Sequence, residues 1–348
     1  MNRKKQYRKG WLLGMACLAA SLSHPACAQP ASVAKKPGDT AVAVKTFVNL
    51  GGEWQYVEMT GASANNPVLL FLHGGPGWPQ TPHLRYFNHA LTRYMTVVAW
   101  EQSGCGQSYL RNPQPRRLSL DQIVRDAHEL TRLLKEKFHK RKIYLAGYSW
   151  GSMPGLILAY RYPEDYAAYF GITQVVSLNR SIAASRTWIA GQARRAGDTA
   201  TLHALKRIAS RDTSQCKRPL DCFLAQYQLL NKYHGALYSQ AGEQAISRAE
   251  HFYDDYKAYD WYGAFFYSAY RLEKDLFGTD LSYIRKFRIP VYFLMGRHDR
   301  NLPPSVTLAY ARGLQAPRKE YIWFEHSGHE PLSEEADRFN KVMIRLVR

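Results

Sequence analysis

The segment from residue 143 to residue 151 reads Ile143-Tyr144-Leu145-Ala146-Gly147-Tyr148-Ser149-Trp150-Gly151. An apolar run leads directly into the pattern Gly-x-Ser-x-Gly, and small residues on either side of a serine permit a tight turn that projects its hydroxyl. A helical pattern follows, with Pro154 in the first turn, where proline is tolerated. The segment therefore predicts a strand, a sharp turn carrying Ser149 as a nucleophile, and a helix.

Other compact apolar runs surround this segment and are typical of strands buried on both faces. Between them lie amphipathic patterns, the clearest of which begins at Ser119 with a possible capping box, Ser-Leu-Asp-Gln. This alternation predicts an α/β fold with a mostly parallel sheet flanked by helices. The predicted strands cover residues 68–72, 96–100, 143–146, 169–173, 291–295 and 321–324.

The strand pattern is absent between residues 178 and 283. The sequence there is rich in Arg, Gln, Ala and Tyr and has the periodicity of helices. We interpret this segment as an inserted helical cap, and residues 29–177 with 284–348 as the core. Ten aromatic residues lie between positions 252 and 270. Most of them are expected to pack inside the cap. The others are expected to cover an apolar pocket that binds an acyl or prolyl group of the substrate.

A serine nucleophile needs a histidine base and a carboxylate that orients the base. Asp299 ends the sequence Gly-Arg-His-Asp after the run 291–295, at the carboxyl end of a predicted strand, where open α/β sheets assemble their sites. His329 follows the next run and precedes the final helix. We favour it over His326 because Ser-Gly before it supplies a flexible turn. An ordinary surface-loop carboxylate is the alternative for Asp299.

The oxyanion of an acyl-transfer reaction needs two backbone donors, and His-Gly-Gly-Pro-Gly at residues 73–77 follows the run 68–72. Glycine lets the backbone approach a substrate closely, which nominates Gly74 for substrate binding. The amides of Gly75 and Trp150 are the expected oxyanion hole. A phosphate-binding loop is the alternative, but the Lys-Ser/Thr that such a loop needs is missing.

Five motifs together resemble the proline iminopeptidase family of α/β-hydrolases, over about residues 45–348 and least in the cap. The resemblance implies an α/β-hydrolase fold, a triad of Ser149, Asp299 and His329, and release of an N-terminal residue, often proline, from peptides. Cys105 then lies in a family loop and is expected to be structural. The motifs are HGGPG at 73–77, WEQSGCGQS at 100–108, GYSWGS at 147–152, GRHD at 296–299 and SGH at 327–329.

The departures from the family pattern concern the substrate. Residues 101–104 read Glu-Gln-Ser-Gly, without the arginine of the family's Asp-Gln-Arg-Gly loop. Family aminopeptidases hold the substrate ammonium with cap glutamates, and the resemblance nominates Glu250, whereas Tyr-His-Gly at 233–235 stands where a second glutamate is usual. Two carboxylates stabilise a desolvated ammonium better than one. Asp255 is a secondary candidate for the amine.

The N-terminus carries five basic residues before an apolar run at 11–22, followed by Ala26 and Ala28. This order predicts a secretory signal peptide at residues 1–28, cleaved after Ala28, and a periplasmic or secreted protein. The run is shorter than the about 20 residues of a membrane span, so no stable span is expected. An uncleaved anchor is the alternative.

The composition and the charge limit the classes to which the protein can belong. The chain has 348 residues, of which 46% are hydrophobic, and this excludes disordered, collagen-like and disulfide-dense classes. Its formal charge of +19 includes five units from the predicted signal peptide. In an oxidising compartment Cys216 and Cys222 are close enough in sequence for a local disulfide, with two free thiols as the alternative.

Three functions remain after these observations. The first is an N-terminal peptidase, the second a carboxylesterase with the same triad acting on small acyl esters, and the third a non-catalytic binding protein of the same fold. We expect a peptide or small-ester substrate, no nucleic-acid partner, and no cofactor or metal, because the cysteines and histidines lack ligand spacing. The oligomeric state is not indicated.

Overall fold

The computed structural model describes residues 40–115, 117–211 and 216–348. The predicted signal peptide and its cleavage site lie outside these ranges, as does most of the lead-in at 29–41. Residues Thr40–Arg348 form one compact unit. In the described part of the chain, no helix combines the length and apolar character that crossing a bilayer requires.

An eight-stranded sheet runs through this unit in the order β1-β2-β4-β3-β5-β6-β7-β8. The pairs from β4 to β8 are parallel, and β2 pairs antiparallel with both β1 and β4. The predicted α/β fold with a mostly parallel sheet is therefore confirmed. The strands are β1 (Val42–Leu50), β2 (Glu53–Gly61), β3 (Val68–Leu72), β4 (Thr96–Glu101), β5 (Ile143–Tyr148), β6 (Tyr166–Ile172), β7 (Val291–Gly296) and β8 (Lys319–Phe324).

All six predicted strands are present as β3 to β8, and sequence analysis missed the β1–β2 hairpin. A search for compact apolar runs finds strands that are buried on both faces. The edge strand β1 instead mixes buried, half-buried and exposed positions along its nine residues. Its charged and polar side chains hid it from that search.

Helices cover both faces of the sheet. A hydrophobic core therefore lies on each face of the sheet. The consecutive residues Leu70 and Phe71 of β3 point to opposite faces, and each packs in a different core. The helices are α1 (Thr81–Phe87), α2 (Gly106–Arg111), α3 (Leu120–Lys137), α4 (Ser152–Arg161), α5 (Leu178–Arg195), α6 (Thr199–Ser210), α7 (Pro219–Lys232), α8 (Gln240–Phe252), α9 (Trp261–Arg271), α10 (Glu273–Gly278), α11 (Pro304–Arg312), α12 (Pro331–Glu334) and α13 (Ala336–Val347).

The predicted helix after Ser119 is α3. The Ser119 hydroxyl accepts a hydrogen bond from the backbone amide of Gln122 at 3.2 Å, as an N-cap residue does. The side chain of Gln122 donates instead to Asp126, so the second half of the predicted capping box is replaced by a contact one turn further along the helix. The apolar stripe of α3 is buried against the sheet.

Helices α5 to α10 lie between β6 and β7, and we call residues 178–283 the helical segment. It begins with α5 and ends with the short 3-10 turn Leu281–Tyr283. Cys216, after α6, and Cys222, within α7, form a disulfide in this segment. The alternative of two free thiols is therefore wrong. The predicted boundaries between core and cap remain a prediction.

Candidate active site

Ser149 lies at the end of β5, in the turn that leads into α4. Its φ is +49°, a left-handed conformation that a residue with a side chain adopts only under constraint. The turn is tight: a Cβ at Gly147 would lie 2.5 Å from the carbonyl oxygen of Gly151. The small residues around Ser149 are therefore required by close backbone contact, which is the geometry that a nucleophile elbow needs.

His329 lies between Ser149 and Asp299. Its Nε2 is 3.0 Å from the Ser149 hydroxyl oxygen, and its Nδ1 is 2.9 Å from Oδ2 of Asp299. With the ring proton on Nδ1, toward the carboxylate, Nε2 is free to accept the serine proton. The structure thus brings together the three residues that the sequence nominated from separate regions of the chain.

Backbone groups hold the carboxylate and the base in place. The amides of Asn301 and Leu302 donate to Oδ1 of Asp299 at 2.9 and 2.8 Å, and the Asp299 side chain is 1% exposed. The amide of His329 donates to the carbonyl of Ala236 at 2.7 Å, which ties the base to the helical segment. Asp299 is therefore a buried, hydrogen-bonded carboxylate and not a surface-loop residue.

The basicity of His329 reflects two opposing effects. Burial alone would lower the pKa of the imidazole, because a buried cation loses its hydration. The charge and hydrogen bond of Asp299, with contributions from Glu330 and Glu334, outweigh burial and raise the pKa of His329 above its ordinary value. The ring therefore binds a proton more readily than a free imidazole does.

The expected oxyanion donors lie at the same place. Gly75 and Trp150 both line the space next to Ser149. The Trp150 indole donates to Oε1 of Gln102 at 3.0 Å, which orients the residue directly after the serine. Gly74 adjoins the Tyr148 ring, and its carbonyl accepts a hydrogen bond from His73 Nδ1 at 2.7 Å when that nitrogen carries the proton. Gly74 thus lies next to Tyr148 and Ser149 but is not among the residues that line the cavity beside Ser149.

A cavity of about 60 Å³ opens beside Ser149. No charged side chain from the described part of the chain lines it, so it suits an apolar group. The helical segment supplies much of its wall, and Phe265 is the member of the predicted aromatic group that reaches it. Tyr256, Tyr259 and Trp261 are buried in packing instead. The segment's wall residues are Leu178, Leu220, Phe223, Phe265, Ala269 and Leu276.

Three other candidates lie away from this chemistry. His326 is exposed and its backbone amide donates to Glu335, so it does not compete with His329 as the base. Asp255 pairs with Arg85 and Lys45 and is therefore not placed for a substrate amine. Cys105 is buried 3.8 Å from His73, and burial raises the pKa of its thiol well above the ordinary value.

Glu250 is largely buried and points inward from α8. Its Oε1 accepts a hydrogen bond from the indole of Trp78 at 3.0 Å. Trp78 in turn packs on Phe265, with ring centroids 6.2 Å apart. Glu250 does not itself line the cavity beside Ser149, and Trp78 connects it to the cavity wall.

Sequence analysis missed two residues near Glu250. His83 in α1 lies 3.6 Å from Glu250, and Glu330, directly after His329, lies 3.9 Å from His83. The only sequence signal was the position of Glu330 next to the predicted base. Gln80, three residues earlier, lies 2.7 Å from His83 Nδ1, but the two carboxylates near His83 come from distant parts of the chain, so the local sequence does not indicate them.

The side chains that commonly bind metals are dispersed. Within residues 40–115, 117–211 and 216–348, no group of three or more His, Cys, Asp or Glu side chains is arranged to hold a metal ion.

Several known proteins are similar to this chain in sequence or in fold. A protein of Bacillus subtilis (strain 168) named a probable aminopeptidase is 28% identical over 320 residues, which cover 90% of this chain and 98% of the relative. The name of this relative supports the family resemblance that the motifs indicate.

Two crystal structures are similar in fold. A proline iminopeptidase-related protein from Thermus thermophilus is 21% identical with a TM-score of 0.61, over 87% of this chain and 96% of its own. An esterase from Exiguobacterium antarcticum is 15% identical with a TM-score of 0.58, over 87% and 99% respectively. The model of the alpha/beta hydrolase family matches residues 69–342. The protein is an enzyme of the hydrolase class, and its chain belongs to the alpha/beta hydrolase family.

Proposed function

We propose that the protein is a serine hydrolase that releases the N-terminal residue of peptides through an acyl-enzyme formed on Ser149. The observation that carries this proposal is the continuous chain of hydrogen bonds from Asp299 through His329 to Ser149, beside an apolar cavity. The similarity over 90% of the chain to a protein named a probable aminopeptidase supports the peptidase assignment.

Acylation begins when the Ser149 hydroxyl attacks the scissile carbonyl carbon and gives its proton to His329 Nε2. Asp299 holds the imidazole in the required orientation and stabilises the imidazolium that forms. The developing oxyanion is stabilised by the backbone amides of Gly75 and Trp150, which are held rigidly before the reaction starts.

His329 acts as an acid to complete acylation and then as a base to start deacylation. His329 gives its proton to the leaving amine nitrogen, which an amide requires because an unprotonated amine anion is a poor leaving group. A water molecule then attacks the acyl-enzyme carbonyl while His329 accepts its proton. His329 returns that proton to the Ser149 oxygen as the acyl–oxygen bond breaks, and the residue leaves with a free carboxyl group. No other acid or base is needed for either step.

The cavity and Glu250 support a substrate with an apolar side chain and a free amine. The cavity wall accommodates a small apolar group such as a prolyl ring. Glu250, connected to that wall through Trp78, supplies a negative charge for the ammonium group.

A carboxylesterase is the second candidate, and one observation favours it. The cavity beside Ser149 has an uncharged lining among the described residues, which suits a simple acyl chain as well as it suits an amino acid. An ester needs less assistance than an amide, because an alkoxide leaves more readily than an amine.

Paired substrates separate these two functions. Prolyl, alanyl and leucyl p-nitroanilides, their N-acetylated forms, and p-nitrophenyl acetate and butyrate are offered to the wild-type protein and to Ser149→Ala. Cleavage of the free-amine anilides over their acetylated forms is the expected result. Activity on the esters alone would replace the peptidase proposal by the esterase. Equal activity of wild type and Ser149→Ala would reject both.

We also propose that the protein is exported. The basic residues, the apolar run and the small residues up to Ala28 support this. Expression in a Gram-negative host, fractionation and N-terminal sequencing are the test. A periplasmic protein that begins at Gln29 is expected, and a cytoplasmic protein that retains residues 1–28 would contradict export.

A further inference from the structure

The loops that enter the parallel strands carry far more positive charge than the loops that leave them. The six segments that precede β3 to β8 contain seven Lys and Arg residues and two acidic residues, Glu164 and Asp165. The six segments that follow the same strands contain two basic and three acidic residues. Three of the seven cations lie in residues 138–142, three in 284–290, and the last is Arg318.

These cations belong to one continuous surface. The ammonium group of Lys142 donates a hydrogen bond to the carbonyl of Pro163 at 3.1 Å, and the Arg288 guanidinium lies 3.7 Å from the Glu164 carboxylate. The backbones before β7 and β8 hydrogen-bond to each other at residue 315. Adjacent strands are about 4.8 Å apart, so the surface extends about 14 Å from β5 to β8. We call residues 138–142, 162–165, 284–290 and 313–318 the basic edge.

Most of the charge on the basic edge has no carboxylate partner. Arg288 pairs with Glu164, and Arg318 pairs with Glu320. The other five cations form no ion pair with any residue that the structure describes. Asp165 is occupied by Lys135, which lies outside the edge. An accumulation of unpaired cations on one surface attracts a partner that presents many negative charges.

Two exposed tyrosines lie among these cations. Tyr283 directly precedes residues 284–290, and its side chain is 63% exposed. Tyr160 in α4 is 45% exposed and packs on Phe287, which lies between two of the cations, with ring centroids 6.3 Å apart. A tyrosine has an apolar ring and a polar hydroxyl, and such side chains are enriched where a bilayer meets water. Cations interspersed with tyrosines therefore fit lipid head groups.

The basic edge and the active site lie at opposite ends of the strands. Residues 138–142 precede β5, and Ser149 follows it. The strand has six residues, which at about 3.3 Å per residue separate the two ends by about 20 Å. A flat partner bound at the basic edge therefore leaves the cavity beside Ser149 accessible from the aqueous side.

We propose that the basic edge, with Tyr160 and Tyr283, docks the protein on the surface of a phospholipid bilayer that contains anionic lipids, with the active site turned away from the lipid. The lipid phosphates supply the negative charge that the edge lacks. Such binding is peripheral, reversible and weakened by salt. The inference is independent of the substrate that the enzyme cleaves, so neither proposal fails with the other.

The test is co-sedimentation with vesicles of phosphatidylcholine alone and of phosphatidylcholine with phosphatidylglycerol in equal parts. The wild type should bind the mixed vesicles, lose them at high salt, and ignore the neutral ones. The double variant Arg141→Glu with Lys286→Glu changes two exposed residues of the edge and should bind at least about tenfold more weakly. Failure of the wild type to bind the mixed vesicles, or equal binding by this variant, would overturn the proposal.

A second double variant separates the position of the charge from its amount. Arg194→Glu with Arg195→Glu changes the net charge equally, at two exposed residues that end α5. Trp188 of the same helix contacts Arg300, on the side of the sheet that carries the triad. This control should bind within about twofold of the wild type. A loss as large as that of the edge variant would show that net charge alone decides binding.

Both the full chain and residues 40–348, the compact unit, are used, so that any contribution of the basic N-terminus is separated from that of the edge. Thermal melting checks that each variant is folded. The ratio of wild-type to edge-variant affinity should exceed about tenfold in the compact unit. A ratio near one in the compact unit would assign the binding to the N-terminus and overturn the proposal.

Nucleic acid carries the same phosphate charge, and a short DNA duplex is the competing probe. Tyr283→Ser should weaken vesicle binding at least about threefold. Binding of DNA without binding of the mixed vesicles would reject the lipid partner in favour of nucleic acid. The orientation is tested by labelling Ser149 with a fluorophosphonate, which should proceed at the same rate with and without saturating mixed vesicles. Protection of Ser149 by the vesicles would contradict the proposed orientation.

Discussion

Oδ2 of Asp299 lies 2.9 Å from Nδ1 of His329, although α11 and β8 separate the two residues in the chain. The parallel pairing of β7 with β8 produces this contact, since the loops after both strands emerge at the same edge of the sheet. The same edge carries Ser149 at the end of β5. The distance therefore follows from the order of the strands. Asp299 is held by backbone amides of its own loop, and His329 by the carbonyl of Ala236 in the helical segment.

Asp299→Asn is expected to lower kcat about 10³-fold to 10⁴-fold while the protein stays folded, because an amide favours the wrong imidazole tautomer. Hydrolysis of p-nitrophenyl butyrate measures the effect, and thermal melting checks the fold. Asp254→Asn removes a carboxylate that is 92% exposed and serves as the control. Near wild-type kcat in Asp299→Asn would show that another group orients His329.

The pH dependence of activity follows from the raised pKa of His329. Protonated His329 cannot accept the Ser149 proton, so activity is lost as pH falls through this pKa. Since Asp299 raises the pKa above 6.5, the acidic limb of the profile should lie above that value. We expect log kcat/KM for an uncharged ester to fall with a slope of about one per pH unit on that limb. A flat profile from about pH 8 to about pH 5 would contradict His329 as the base.

Phe265→Ala should widen the cavity beside Ser149 and favour longer acyl chains. Removing one aromatic ring from the wall leaves space for several methylene groups, so the ratio of kcat/KM for the octanoate to that for the butyrate ester should rise at least about tenfold. Phe252→Ala, at an aromatic residue that is 60% exposed, is the control. If both variants keep the wild-type ratio, the cavity does not hold the acyl group.

The Cys216–Cys222 disulfide should stabilise the helical segment. Closing so short a loop restricts the unfolded chain, and the double variant Cys216→Ala with Cys222→Ala should lose about 2 kcal/mol of unfolding free energy. Thermal melting with and without reductant measures this loss. Reductant should lower the Tm of the wild type and leave the double variant unchanged. If reductant lowered the Tm of both proteins equally, its effect would not come from the Cys216–Cys222 disulfide.

Much of the fold could be predicted because its signals are local. The strands β3, β4 and β7 are buried on both faces, so each appears in the sequence as a short continuous apolar run. Ser149 follows one such run within a turn of small residues. The edge strand β1 was missed for the opposite reason, since the exposed residues Lys45 and Asn49 interrupt its apolar pattern and its pairing partner cannot be inferred from its own sequence.

The sequence by itself determined the α/β class, the nucleophile and the two candidates that complete a triad, because strand, turn and helix patterns depend on neighbours in the chain. Only the tertiary structure decided what surrounds the triad. Packing of α1, α8 and α12 brings His83, Glu250 and Glu330 together, and packing of α5, α7, α9 and α10 shapes the cavity. These contacts join residues that are far apart in sequence. They are stabilised by burial of whole interfaces between helices, and a local sequence pattern contains no information about such interfaces.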